Sequence, residues 1–300
     1  RGNTIMQLRS IALFILATLA ITPAVADENL FGYVKGAETL PEHAYEAYTI
    51  ITNRTDKSVG DYDAWDTKFE LEYGATNRFT VAGALIGRAV DVNGLVVDGY
   101  LPKDEDTGLQ FSGVEVNGKY NFLSPALDDF GLSGYWELEY NTIDAHSGQD
   151  KDTLSFSSML IGQKYFLEGQ LIWAGNAVLE ATHAKRGEIN DLPEDFEWST
   201  DAEVEIELGA STGLSYRFAP NWFVGAEILY ETEYETEVGQ ERYSIFAGPT
   251  LHYGGATWWA SFTWLPQLTG GGEKFEGQDT DLHLIEKTEQ ELRLKVGYNF

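Results

Sequence analysis

From Glu203 to Phe218 the chain alternates without interruption between two kinds of side chain. Val204, Ile206, Leu208, Ala210, Thr212, Leu214, Tyr216 and Phe218 share one face, while Glu203, Glu205, Glu207, Gly209, Ser211, Gly213, Ser215 and Arg217 share the other. A period of two belongs to an extended strand whose faces meet different surroundings, and a helical period of 3.6 cannot produce it. The last segment repeats the pattern, with Leu292, Leu294, Val296, Tyr298 and Phe300 against Arg293, Lys295, Gly297 and Asn299. Stretches near 65–73, 112–122, 132–141 and 222–231 do the same and put Lys68, Glu70, Glu72, Glu115, Lys119, Glu137, Glu139 and Glu227 on polar faces. No stretch of the mature chain sustains a helical period, so the chain reads as all-β.

Soluble sandwiches and membrane barrels both alternate in this way, and three further features choose between them. The strands are long, about ten residues or more, as a tilted span requires. Their connections alternate between short ones, near 74–78, 123–131, 167–170, 219–221 and 254–256, and longer ones, near 53–62, 91–109, 143–152, 185–201, 234–241 and 268–286. Short periplasmic turns opposite longer extracellular loops give a transmembrane barrel that asymmetry. Aromatics collect at the short-turn ends, as at Tyr73, Phe79, Tyr120, Phe122, Phe166, Phe218, Trp222, Tyr253, Tyr298 and Phe300. A second set, Trp65, Tyr140, Tyr230, Tyr243 and Trp264, lies toward the long connections, so the two sets suit two membrane interfaces. The expected fold is a closed antiparallel transmembrane β-barrel of about twelve strands. Three places resist the pattern: 43–52 has no clean outward face, 153–166 mixes its faces at Met159, Ile161 and Lys164, and Pro249 predicts a bulge or a shifted boundary.

The N-terminus reads as a secretory signal. Met6 to Arg9 supplies positive charge, Ile11 to Ile21 an apolar run too short to span a bilayer, and Ala24-Val25-Ala26 a small-x-small cleavage site. The expected organisation is a signal with upstream residues over 1–26, a leader or lumen plug over 27–42, and the barrel over 43–300. Gly32, Gly36 and Pro41 in the middle segment suit irregular backbone better than a ladder. Beyond the signal no apolar run approaches the ~18 residues of a spanning helix. The chain has no cysteine, which excludes disulfide staples and thiolate metal sites. Losing Arg1 and Arg9 leaves 18 Lys and Arg against 48 Asp and Glu, moving the formal charge from −28 to −30. Nucleic acid is excluded as a partner, since phosphate binding needs the opposite sign.

The terminal Val296-Gly297-Tyr298-Asn299-Phe300 resembles the C-terminal signal of bacterial outer-membrane proteins, which end in an aromatic with aromatic or apolar residues at alternate positions before it. The segment from Leu30 to Pro41, followed by Asp66-Thr67-Lys68-Phe69-Glu70-Leu71-Glu72-Tyr73-Gly74, is similar to an uncharacterised, porin-like family of outer-membrane barrels. The resemblance implies location in the outer membrane of a Gram-negative cell, contact with lipid and lipopolysaccharide, and recognition of Tyr298 and Phe300 by the barrel-assembly machinery. It brings no established activity.

Barrels near eight strands are filled by side chains and those of sixteen or more hold an aqueous channel, so twelve strands leave a narrow pore or a blocked one. The expected function is a narrow diffusion channel or small-solute transporter. Its lumen would be lined by Lys68, Glu70, Glu72, Glu115, Lys119, Glu137, Glu139, Glu203, Glu205, Glu207, Arg217, Glu227, Arg293 and Lys295. The acids outnumber the bases, which favours cations unless neighbouring strands neutralise each other. Glu203, Glu205 and Glu207 are offset in their own strand only by distant Arg217, unless Arg242, Arg293 or Lys295 lies closer across the barrel. Gly209, Ser211, Gly213 and Ser215 would leave room inside.

Acidic runs at Asp61 and Asp63, Asp104 to Asp106, Asp191 with Glu194 and Asp195, and Glu231 to Glu237 match no EF-hand loop, and the five histidines show no zinc spacing. No metal or cofactor is expected. Some outer-membrane barrels are lipid hydrolases, and a hairpin at 167–170 would bring His183 near Ser155 with Asp152 as orienting acid, without any Gly-x-Ser-x-Gly elbow. A non-conducting structural or adhesive barrel is the third alternative. The terminal signal generates one expectation. Removing Phe300 lowers outer-membrane yield and leaves chain in the periplasm, as fractionation and immunoblotting will show; undiminished insertion would refute this role.

Overall fold

The computed structural model describes residues 29–94, 104–188, 198–235 and 239–300. The segment read as a secretory signal, positions 27 and 28 of the leader, the acidic run at Asp191, Glu194 and Asp195, and Glu237 lie outside them. Twelve strands follow one another: β1 (Tyr45–Thr55), β2 (Asp61–Thr76), β3 (Phe79–Asn93), β4 (Glu105–Leu123), β5 (Gly131–Ile143), β6 (Asp150–Phe166), β7 (Leu171–Arg186), β8 (Glu203–Ala219), β9 (Trp222–Glu235), β10 (Gly239–Gly254), β11 (Trp258–Gly271) and β12 (Gln290–Asn299). Each pairs antiparallel with its sequence neighbours, and β1 pairs β12 from Glu46↔Asn299 to Thr55↔Gln290, which closes the barrel. Among the described residues no helix is long and apolar enough to cross a membrane. A closed sheet can cross instead, because every backbone donor and acceptor in the hydrocarbon has a neighbour to bond.

The alternation read from sequence becomes the two faces of this wall. Phe69, Leu71, Leu85, Val114, Leu138, Leu160, Leu208, Ile228 and Leu294 point outward and are exposed, while Glu70, Ala84, Glu115, Ile161 and Glu227 on the same strands are buried. At the short-turn end outward aromatics touch one another. Ring centroids lie 4.8 Å apart for Tyr45 and Tyr73, 5.1 Å for Trp222 and Tyr253, and 5.0 Å for Tyr298 and Phe300. Such belts place amphipathic rings at headgroup level.

The strands reach farther toward the long connections than the apolar pattern suggests. β2 starts at Asp61 and β4 at Glu105, so acidic residues read as loop belong to the ladder. Hydrogen bonding continues past the apolar belt, where the alternation that marks a strand has already ended. β1 begins at Tyr45, two residues later than expected. Pro249 disturbs one of its strand's two ladders. Pairing with β9 runs unbroken through Pro249↔Ala226, whereas toward β11 the register shifts between Ile245 and Phe246 and the ladder then passes over 247–249, from Phe246↔Gln267 to Thr250↔Thr263.

Leu85 sits mid-strand on the outward face, 57% exposed. Leu85→Arg is expected to lower unfolding free energy in lipid vesicles by about 2–4 kcal/mol, the cost of an arginine near the bilayer midplane. Urea titration in vesicles measures this, and an unchanged midpoint would contradict the lipid-facing assignment.

Candidate functional site in the barrel lumen

All fourteen residues read as lumen-lining lie on the inward face of their strands, as the alternation with exposed neighbours shows. Pairing across strands gathers those of β2, β4 and β5, since Glu70 faces Ala84, Ala84 faces Glu115, and Glu115 faces Glu139. Lys68 Nζ lies 2.6 Å from Glu115 Oε2 and 3.5 Å from Glu70 Oε2, bridging the two carboxylates. Asn117 Nδ2 donates to both, at 2.8 and 2.7 Å. The Tyr135 hydroxyl donates to Glu137 and Asn141 Nδ2 to Glu139, each at 2.5 Å. Carboxylate oxygens of Glu115, Glu137 and Glu139 come within 4.8 Å of one another, as do those of Glu233, Glu241 and Glu286. The second group also holds Arg242, bonded to Glu233 and Glu286, which supplies the cation such a group demands.

Glu203, Glu205 and Glu207 are not the isolated acidic segment that β8 alone suggests. Lys151 Nζ on β6 lies 3.3 Å from Glu203 and 3.1 Å from Glu205. Lys287 Nζ, from the connection before β12, lies 3.7 Å from Glu207 and 2.7 Å from Glu231. Arg293 and Lys295 are engaged elsewhere. The Arg293 guanidinium stacks 3.6 Å from the Tyr33 ring centroid, and Lys295 Nζ donates to Asn29 Oδ1 at 2.5 Å. Strand pattern alone could not reveal Lys151 and Lys287, because one reaches across a neighbouring strand and the other comes from a long connection.

Residues 29–40 lie inside the wall, and polar side chains of many strands meet their backbone. The Glu227 carboxylate accepts three successive N–H groups, from Gly32 at 2.8 Å, Tyr33 at 2.8 Å and Val34 at 2.9 Å, as a backbone nest holds an anion. Gly32 is required there, because a Cβ would stand 2.6 Å from Thr263 Oγ1. Asn176 brackets Lys35, accepting its N–H at 2.8 Å and donating to its carbonyl at 2.9 Å. Gln163 accepts from the Ala37 N–H at 2.6 Å, while Asn121 and Ser133 donate to its carbonyl at 2.7 and 2.5 Å.

This segment explains the apolar residues that interrupt the inward face. Leu30, Phe31 and Val34 pack on Ile172, Ala174 and Phe223, Ala37 packs on Ile161, Tyr135 and Met159, and Tyr33 lies against Leu229, Phe246 and Leu265. The room left by Gly213 is occupied, since a Cβ there would meet the Phe31 ring at 2.6 Å. Gln163, Asn176, Asn121 and Ser133 were not singled out from sequence. Inward amides on strands are a usable signal, since asparagine is a poor strand former and needs a partner to hold it there.

The hydrolase geometry does not form. Ser155 pairs with Thr182 and Leu154 with His183, so the serine faces the lumen and the histidine the outside, on opposite sides of the sheet. Ser155 Oγ is bonded to Thr182 Oγ1 at 2.7 Å, and Asp152 accepts from Tyr140 at 2.8 Å.

At the long-loop end, connections fold over the mouth. The Ser58 N–H donates to the Leu284 carbonyl and Glu289 N–H to that of Asp56, at 2.9 and 2.8 Å. Lys57 Nζ lies 2.9 Å from His146 Nδ1 and donates to the Ile285 carbonyl at 3.2 Å. Burial, then the Lys57 charge, holds His146 well below the usual imidazole range, so the ring stays neutral and accepts from Lys57. Burial alone would raise Glu286, but its partner Arg242 overrides this and holds it at about 2.

Both groups titrate lower when folded than their free values of 6.5 and 4.5. Their stabilisation is therefore complete above those values and is lost as pH falls, first through the histidine step and then between about 4.5 and 2. Protection factors of the amides in 272–289, which remove the intrinsic pH dependence of exchange, are expected to fall in these two stages, and His146→Gln to remove the first. Protection factors independent of pH would refute the assignment.

No curated protein matches this chain. Among solved structures it is similar to the COG4313 outer membrane channel from Pseudomonas putida F1, at 16% identity and TM-score 0.57, over 88% of this chain and 98% of that one. The NanC porin aligns at 10% identity and TM-score 0.49 over 84% and 98% of the chains. The β domain of the Bordetella autotransporter BrkA aligns at 14% and 0.48 over 86% and 99%. The first likeness carries the fold, that of an outer-membrane barrel. Residues 23–300 match the profile of a family of unknown function, DUF6662, and the chain belongs to that family.

Proposed function

We propose that this protein is a narrow outer-membrane channel for small solutes, that its acidic wall favours cations, and that residues 29–40 close it in the conformation described. The observation that carries the reading is the gathering of Glu70, Glu115, Glu137 and Glu139 around Lys68 on the inward faces of β2, β4 and β5. In a confined bore such a group raises local cation concentration and repels anions. The apolar belt meets lipid and lipopolysaccharide, the barrel-assembly machinery inserts the chain through its terminal strand, and small solutes or cations are the cargo. We assign no catalytic activity, because Ser155 and His183 lie on opposite faces of the wall.

Planar-bilayer recording across a salt gradient tests this. The protein without 29–42 is expected to conduct with a cation preference that weakens as salt rises, and the full chain to conduct less. Glu115→Gln, Glu137→Gln and Glu139→Gln together should remove most of the preference. The same change at Glu203, Glu205 and Glu207 should remove less, since Lys151 and Lys287 already offset those carboxylates. Anion preference, or no conductance in either form, would overturn the channel reading and leave a closed structural barrel.

A further inference from the structure

The contacts around residues 29–40 share a chemical character that a steric stopper does not need. Wall side chains engage main-chain groups of the segment one after another. Ser261 donates to the Asn29 carbonyl at 2.5 Å, Glu227 takes three N–H groups, Asn176 takes both groups of Lys35, Gln163, Asn121 and Ser133 take both groups of Ala37, and Thr80 accepts from the Leu40 N–H at 2.9 Å. These partners come from strands all round the barrel, so the track is built by the whole wall. Each asparagine or glutamine presents an amide to an amide, which matches the fixed spacing of N–H and C=O in a polypeptide. Recognition through the main chain tolerates sequence, with side-chain pockets adding selectivity. Here one pocket, over Gly213 and against Ile172 and Phe223, takes an aromatic ring, and one, formed by Tyr135 and Ile161, takes a small side chain.

We infer that the lumen wall is a binding track for an oligopeptide, bent where three successive N–H groups converge on Glu227, filled in cis by residues 29–40 and open to a peptide in trans once that segment leaves. This deepens the channel reading by naming peptides as the solute class. Its ligand is recognised by successive main-chain amides, an aromatic near one end and a small residue about six positions on. A sugar ring offers hydroxyls but no N–H and C=O pair at peptide spacing, so it does not satisfy Asn176 and the Gln163, Asn121 and Ser133 set together.

Two preparations keep the test independent of whether the truncated chain folds. One lacks 29–42. The other is the full chain with a protease site between Glu42 and His43, both exposed, cut after folding and washed in mild urea to release the segment. A fluorescent peptide of residues 29–42 is titrated against each in detergent by anisotropy. Saturable binding is expected, weakened about tenfold by Asn176→Ala, in line with loss of paired buried hydrogen bonds. A peptide N-methylated at Lys35 and Ala37 is expected to lose binding, since it cannot donate to Asn176 or Gln163. A peptide with altered side chains that keeps Gly32, Phe31 and Ala37 is expected to compete, and a neutral oligosaccharide is not. Absence of binding to both preparations overturns the inference, as does equal binding of the N-methylated peptide or displacement by the oligosaccharide. Binding needs no conductance, so failure here with cation-selective conductance leaves the channel standing, whereas binding without conductance removes the channel alone.

Discussion

Closure of the sheet by the β1–β12 ladder is the constraint on which everything else in this molecule depends. An open edge in hydrocarbon would strand a row of N–H and C=O groups with no water to receive them, at several kcal/mol apiece. Ten paired positions, Glu46↔Asn299 to Thr55↔Gln290, remove that edge. Closing the wall also creates an inside, and the inside has to be wet, paired or filled. The chain uses all three solutions: carboxylates and bases pair along the wall, amides hold a piece of backbone, and apolar side chains of that piece pack on matching residues of the strands.

Charge is managed by reach rather than by sequence proximity. Lys151 serves β8 from β6, Arg242 joins Glu233 to Glu286, and Lys287 crosses from a connection to acids on β8 and β9. The strongly acidic composition therefore does not translate into a uniformly negative bore. The Glu115, Glu137 and Glu139 region differs, because its close partners include hydroxyl and amide donors as well as Lys68, and such donors stabilise a carboxylate without cancelling its charge.

How much of this the sequence displays depends on the range of the interaction concerned. Twelve strands, their order and the inward set follow from alternation, a local property that a membrane barrel expresses strand by strand. Met159 and Ile161 looked like faults in β6 because their partner, Ala37, lies more than a hundred residues away. Ser155 and His183 looked close because hairpin spacing gives proximity along the strands, whereas a one-residue offset in register sends the two side chains to opposite faces. Pro249 was legible because its missing donor is a local property, but not which ladder would lose it: pairing toward β9 continues through the proline, and pairing toward β11 passes over 247–249.

The way β12 meets the segment inside has a consequence for the order in which the molecule forms. Glu291 accepts from the Tyr33 hydroxyl, Arg293 lies over the same ring, and Lys295 holds Asn29, so three alternate residues of the final strand grip the first described stretch of chain. The segment is among the earliest parts of the described chain to be synthesised, yet some of its grips arrive only with the last ten residues. Until then β1 lacks its seam partner and Tyr33 lacks both its acceptor and its cation. Zipping the seam and seating the segment are thus steps of one cooperative transition, in which the strand that shuts the wall also fastens what lies within it.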